Sequence, residues 1–245
     1  MERWAGKTAL VTGASSGIGA AVSVRLADAG MRVVGLARRA ELVDELRSKV
    51  HGEGSIHSRQ CDLTDCIALA AAFAWVEETF GGVDVVVNNA GVFVHGHITD
   101  VGGHQISDEQ LNTVLDLNIK AVILGSRRAI ASMQKRGVSG HVINISSIAG
   151  HYIPFSDLFN VYSSTKHAVC AFSAALLNEL AHLGSGIKVT SISPGLVDTA
   201  MAGPDNPLPK MRPEDVADAV AYVLATPPSV NVNEMVISTV GEKRL

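Results

Sequence analysis

Seven short runs rich in valine and isoleucine alternate with longer segments of helical pattern, and this alternation restricts the chain more than any other feature. The runs are 8–11, 32–36, 56–61, 83–87, 141–145, 188–192 and 235–238. Between them, helical patterns cover 17–29, 40–50, 65–80, 160–183 and 213–225, and a capping box at Ser107 to Gln110 opens a helix running toward 136. Strands that are apolar nearly throughout need cover on both faces, and right-handed crossovers between parallel strands leave few arrangements. The expected fold is α/β, with a seven-stranded, mainly parallel sheet carrying helices on both faces.

No internal repeat or low-complexity tract divides the chain, so residues 1–245 are expected to form one domain. At 47% hydrophobic and 18% charged, with net charge -4, the chain belongs with soluble globular enzymes and offers no basic stripe to a nucleic acid. No segment approaches the roughly 18 uninterrupted apolar residues of a membrane span. The surplus of apolar residues is therefore assigned to core and to a homo-oligomeric interface. The N-terminal residues lead into the first strand without a secretory pattern. Cys61, Cys66 and Cys170 are too few and too scattered for a disulfide framework. Both features point to a cytoplasmic protein whose thiols are free and structural.

Thr12 to Gly19, TGASSGIG, follows the first strand and opens a helix. In that setting Gly13, Gly17 and Gly19 let the backbone turn tightly and approach a pyrophosphate at the helix N-terminus, with Ser15, Ser16 and Ile18 beside it. The second strand ends in Ala37-Arg38-Arg39, where a sheet that binds NAD would present an acid to the ribose. Two guanidiniums suit a 2'-phosphate instead, which points to NADP; the plain alternative is a solvated surface pair.

Three further stretches complete the set: Asn88-Asn89-Ala90-Gly91 after the fourth strand, Asn144-Ile145-Ser146-Ser147 ending the fifth, and Tyr162 to Lys166, YSSTK. Together with Ser193-Pro194-Gly195 and Thr199, they resemble the short-chain dehydrogenase/reductase family over nearly the whole chain. MERW at the start, SGHVINISSIAGH and VADAVAYVLATP are most similar to an animal cytosolic branch with steroid-reducing and farnesol-dehydrogenase-like members.

The resemblance implies a Rossmann-type doubly wound domain and an NADP-dependent oxidoreductase acting on an alcohol or carbonyl. It makes Tyr162 the proton donor or acceptor at the substrate oxygen and Ser147 the hydroxyl that holds that oxygen. Lys166 would bind the nicotinamide ribose, and Asn118 would anchor a proton-conducting water. It further implies adenine contacts from Asp62 and Leu63, a cofactor wall from Asn89, Ala90 and Gly91, and carboxamide contacts from Pro194, Gly195, Val197 and Thr199. The plain alternatives are that Asp62 is a helix N-cap and Asn118 a satisfied core amide.

Tyr162 and Lys166 are four apart, so both lie on one helix face. An ammonium about 5 Å from a phenol, at an effective dielectric near 20, favours phenolate by roughly 3 kcal/mol. The expectation is a Tyr162 pKa near 8, about two units below the usual value.

Two departures from the family pattern stand out. Ser147 and Tyr162 are further apart than is commonest, so residues 151–155 are expected to bulge at the pocket mouth; the C-terminus also lacks the usual Asp-Gly-Gly ending. The substrate pocket is expected to include Val92, Phe93, Ile148, Phe155, Leu196 and Met201, with Leu208 and Met211 on a short proline-rich lid near 200–212. Such apolar walls suit a lipophilic alcohol or carbonyl, a steroid or a terpenoid such as farnesol or farnesal. The alternative is a catalytically idle NADP-binding scaffold. His95 and His97 lack flanking acids or cysteines, so no metal is expected. A homodimer or homotetramer would pair the helices around 112–137 and 160–183.

Overall fold

The structure is a computed structural model that describes residues 1–101, 103–154, 159–203 and 206–242. Seven strands, β1 Thr8–Thr12, β2 Arg32–Ala37, β3 Ser55–Gln60, β4 Val85–Asn88, β5 His141–Ile145, β6 Lys188–Pro194 and β7 Glu234–Ile237, form one sheet. Their order is β3-β2-β1-β4-β5-β6-β7, and every pairing is parallel, so the sheet is wholly rather than mainly parallel. The helices are α1 Gly17–Asp28, α2 Glu41–Glu45, α3 Cys66–Phe80, α4 Asp108–Leu115, α5 Ala121–Arg136, α6 Asn160–His182 and α7 Pro213–Ala225.

Successive strand residues point to opposite faces, and each face has its own apolar layer. Ala9 and Val11 pack with Val22 and Leu26 of α1 and Val216 and Val220 of α7. Leu10, between them in sequence, packs on the other face with Leu69 and Phe73 of α3, Met133 of α5 and Leu176 of α6. Full burial of a side chain such as Leu10 is worth about 1.5–3 kcal/mol, which makes the strand register costly to shift. From β1 the chain winds outward to β2 and β3, then crosses back to β4 beside β1. The connections after β1 and β4 therefore diverge, opening a crevice at the carboxyl ends of these strands.

Three elements differ from the sequence expectation. The fourth strand begins at Val85 rather than Val83, because the Asp84 side chain replaces a ladder rung. Its Oδ2 accepts from Thr8 N at 2.8 Å, and its Oδ1 pairs with Arg136 Nη1 at 2.8 Å. The second helix is short, and a 3-10 turn, Leu46–Lys49, completes it. The helix that opens at Ser107 is interrupted between α4 and α5 by a π-helical turn, Asp116–Lys120. A π turn inserts one residue into the ladder without a proline or glycine to announce it. Among the described residues no helix is long and apolar enough to cross a membrane.

Candidate active site

The turn after β1 is built around glycines because other chain segments occupy the space of their side chains. Gly13 has φ 68°, and a Cβ there would lie 2.9 Å from Ala90 Cα. At Gly19 a Cβ would meet Gly13 O at 2.3 Å and Asn89 Nδ2 at 2.6 Å. Asn89 ties the segment after β4 to this turn, its Nδ2 donating to Thr12 O at 2.9 Å. Thr12 Oγ1 accepts from the backbone N–H of Asn89 and of Ala90. Thr199 closes over the turn, with its Cγ2 2.9 Å from where a Gly17 Cβ would stand.

Ser16 is the N-cap of α1, but its side chain caps no backbone N–H. The helix thus presents unsatisfied donors and the positive end of its dipole to the crevice, as an anionic phosphate requires. Arg38 and Arg39 stand exposed at the end of β2, and among the described residues neither guanidinium forms an ion pair. Asp62 accepts from Thr64 N at 2.9 Å and Thr64 Oγ1 at 2.7 Å, bonds that, with the Arg38 charge, hold its carboxyl below the usual range. It organises a turn and is not an N-cap; Asp65 caps α3 instead. The Leu63 side chain is buried in the core. These residues fit a phosphorylated dinucleotide: donors without partners at the helix start, no Cβ where the chain must be approached, and unpaired guanidiniums beyond.

At the end of β5 two adjacent serines diverge. Ser146 Oγ is buried and donates to Lys166 O at 3.1 Å, whereas Ser147 turns toward Tyr162 and accepts from Ala149 N at 3.1 Å. Lys166 is 5% exposed, and its Nζ donates to Ile145 O at 3.1 Å and lies 5.6 Å from the centre of the Tyr162 ring. A Gly91 Cβ would be 3.7 Å from that nitrogen and 3.3 Å from Asn118 Oδ1.

Asn118 sits in the π turn and is satisfied: its Oδ1 accepts from Val92 N at 2.9 Å, while its Nδ2 donates to Val92 O at 2.9 Å and Thr165 Oγ1 at 3.2 Å. The amide locks the 91–92 backbone beside Lys166.

The expected fall in the Tyr162 pKa is not present. Burial pushes the phenol up, with the Ser147 hydroxyl pulling the other way, and burial lowers the Lys166 amine to about 8. An amine that loses its proton near pH 8 carries no charge when the phenol titrates. The sequence estimate treated the lysine as permanently charged and ignored its desolvation.

An aromatic cluster packs beside Tyr162. Phe93 meets Tyr162 edge-on with ring centres 5.1 Å apart, and contacts His95 at 4.4 Å and Phe159 at 4.9 Å. Sequence reasoning missed Phe159, whose only signal is its place directly before α6. Val92, Ile148 and Leu196 are partly buried, whereas Met201 is 45% exposed; Phe155 lies outside the described residues. Met211 does not belong to a lid. It is buried in the core, and its backbone bridges to Val197 through Met211 N to Leu196 O and Asp198 N to Met211 O, both 2.8 Å.

Glu242, also missed, folds back so that its Oε1 accepts from Leu196 N at 3.1 Å. A Cβ at Gly195 would lie 2.0 Å from Glu242 Oε2, so the glycine makes room for the carboxylate. No local pattern in the sequence could pair residues this far apart.

The short chain dehydrogenase family profile matches residues 7–209. The chain belongs to this family. It is 46% identical to a farnesol dehydrogenase of Aedes aegypti, covering 99% of this chain and 100% of that protein. It is 38% identical to dehydrogenase/reductase SDR family member 11 of Mus musculus, over 96% and 95% of the two chains. Among solved structures, this short-chain dehydrogenase resembles the closed form of serine dehydrogenase complexed with NADP+, with a TM-score of 0.82, 31% identity and 94% of each chain covered.

Proposed function

We propose that this short-chain dehydrogenase is an NADP(H)-dependent oxidoreductase that interconverts a lipophilic alcohol and its carbonyl. The observation that carries the proposal is the meeting of Ser147, Tyr162 and buried Lys166 at the crevice beside the uncapped start of α1. When bound, the nicotinamide supplies the two-electron hydride. Ser147 donates to the substrate oxygen and holds it against the Tyr162 hydroxyl. Tyr162 gives its proton to that oxygen in reduction and recovers it in oxidation. Because burial raises the phenol, it stays protonated at neutral pH and is ready for the reductive direction. Lys166 binds the nicotinamide ribose and returns the proton, and Asn118 positions the 91–92 backbone against it.

Arg38 and Arg39 support NADP over NAD. Phe93, Phe159, Ile148 and Leu196 support a lipophilic substrate, and the similarity to a farnesol dehydrogenase supports a terpenoid such as farnesol or farnesal. The test is a panel of farnesal, steroid ketones and small polar carbonyls assayed with NADPH. Lipophilic carbonyls are expected to show the highest kcat/KM. Preference for small polar carbonyls would overturn the apolar pocket, and NADPH binding without any turnover would make the chain a scaffold. A homo-oligomer is part of the same proposal: Leu115 and Ile123 lie exposed on either side of half-buried Ile119, along α4, the π turn and α5. Light scattering that finds a monomer at micromolar concentration would refute it.

A further inference from the structure

Behind the site just described, the loop after β5, helix α6 and the edge strand β7 bring together His151, Cys170 and Glu234. One ligand-type atom from each lies within 4.8 Å of the others, the only such group among the described residues. His151 Nε2 is 3.4 Å from Glu234 Oε1 and 3.8 Å from Cys170 Sγ. Ligand bonds of about 2.0–2.3 Å around a tetrahedral zinc set donor atoms roughly 3.3–3.7 Å apart. The trio is therefore within small side-chain adjustments of a binding geometry.

We propose that His151, Cys170 and Glu234 form a site for a zinc-class divalent transition metal. The chemistry of the donors selects the ion. An imidazole, a thiol and a carboxylate suit zinc and its neighbours, whereas magnesium and calcium take all-oxygen sets. On binding, the Cys170 thiol releases its proton to solvent, and thiolate and carboxylate together neutralise the dication. The fourth position is open to water or to Ser193 Oγ, which lies 2.9 Å from His151 Nε2.

The surroundings accommodate the ion. A Gly150 Cβ would lie 2.8 Å from Lys166 O and 2.9 Å from Cys170 Sγ, so the glycine lets the loop pack closely on α6 beside the sulfur. The His151 and Glu234 side chains are 28% and 45% exposed, which gives the metal a path from solvent. Cys170 lies one helical turn beyond Lys166, and Ser146 Oγ contacts both Cys170 Sγ, at 3.2 Å, and Lys166 O. An ion here staples the loop leaving Ser147 to α6 and to β7. The sequence hides the site because its ligands come from three distant segments, and Cys170 reads there as a structural thiol.

The test is titration of the chelator-stripped full chain with cobalt(II), then zinc(II). The wild type is expected to show a sulfur-to-cobalt charge-transfer band that zinc abolishes, and a higher Tm with zinc. Cys170→Ser is expected to lose both the band and the Tm response, and His151→Ala and Glu234→Gln to weaken zinc by at least roughly tenfold. Cys66→Ser and His95→Ala are expected to bind as the wild type does. Absence of the band in the wild type, or a band that survives Cys170→Ser but not Cys66→Ser, would overturn the proposal and leave a hydrogen-bonded cluster only.

Discussion

Lys166→Met should make the protein more stable at neutral pH while abolishing turnover. In the folded chain, burial lowers the amine from the ordinary 10.5 of a solvated lysine to about 8. At roughly 1.4 kcal/mol per pH unit, the gap amounts to about 3 kcal/mol by which folding opposes the protonated form. The sign follows from proton counts. Below about pH 8 both states hold the proton and the full cost is present; between about 8 and 10.5 only the unfolded state holds it, so stability rises with pH; above 10.5 the cost is gone. Methionine removes the cost but leaves Ile145 O without its donor, a loss of about 1 kcal/mol. The variant is expected to be more stable by about 2 kcal/mol near pH 7, with the difference shrinking above about pH 8 and reversing sign only within about one unit of 10.5, where the remaining cost drops below that of the lost hydrogen bond. Urea unfolding of both proteins without cofactor, from about pH 7 to 10, measures this directly. Lys188, also lowered to about 8, is present in both proteins and cancels in the difference. A stability difference independent of pH across that range would refute the assignment of a desolvated amine at 166.

Tyr162→Phe removes the proton donor while keeping the ring that packs on Phe93, so kcat should fall by about 10²–10⁴-fold with NADPH binding retained, checked by steady-state kinetics and fluorescence titration. Changing Ala37 to Asp together with Arg38 to Ala should reverse the preference for NADP; losing a charged phosphate contact costs about 1.5–3 kcal/mol, and equal use of both cofactors by the wild type would remove the basis for it. Gly195→Ala should push Glu242 off Leu196 and weaken NADPH, and Gly195→Ala with Glu242→Ala should bind no worse than Glu242→Ala alone, because the clash is with that one carboxylate. Additive losses in the double variant would show that the alanine perturbs the backbone itself.

What the sequence makes legible is what short-range pattern encodes. Apolar runs place the strands to within two residues at each end, and the Ser107–Gln110 capping box forms as its residues suggest. The glycines of the first turn announce the crevice. Features set by distant segments stay hidden. Asp84 delays the start of β4 because its side chain takes the Thr8 N–H and the Arg136 guanidinium. Met211 carries a loop composition around it yet is drawn into the core by pairing with Val197. The direction of the Tyr162 shift depends on how deeply Lys166 is buried, which spacing on a helix does not specify.

The π turn at Asp116–Lys120 separates two rotational registers within what is otherwise one long helix. One extra residue amounts to about 100° of helical rotation. Before the turn, α4 packs against α6 and starts at its capping box; after it, Ala129 and Met133 answer to the sheet. Asn118 sits at the joint, fixed by Val92 and Thr165 rather than by either register. Deleting one residue within 116–120 would restore a regular ladder, yet it would force the two halves into one phase, so either the sheet face or the Asn118 anchor would be aimed wrongly. The irregular turn works as a phase adapter, letting α4 and the Asn118 anchor keep their own orientation without disturbing the α5 packing that keeps the sheet covered.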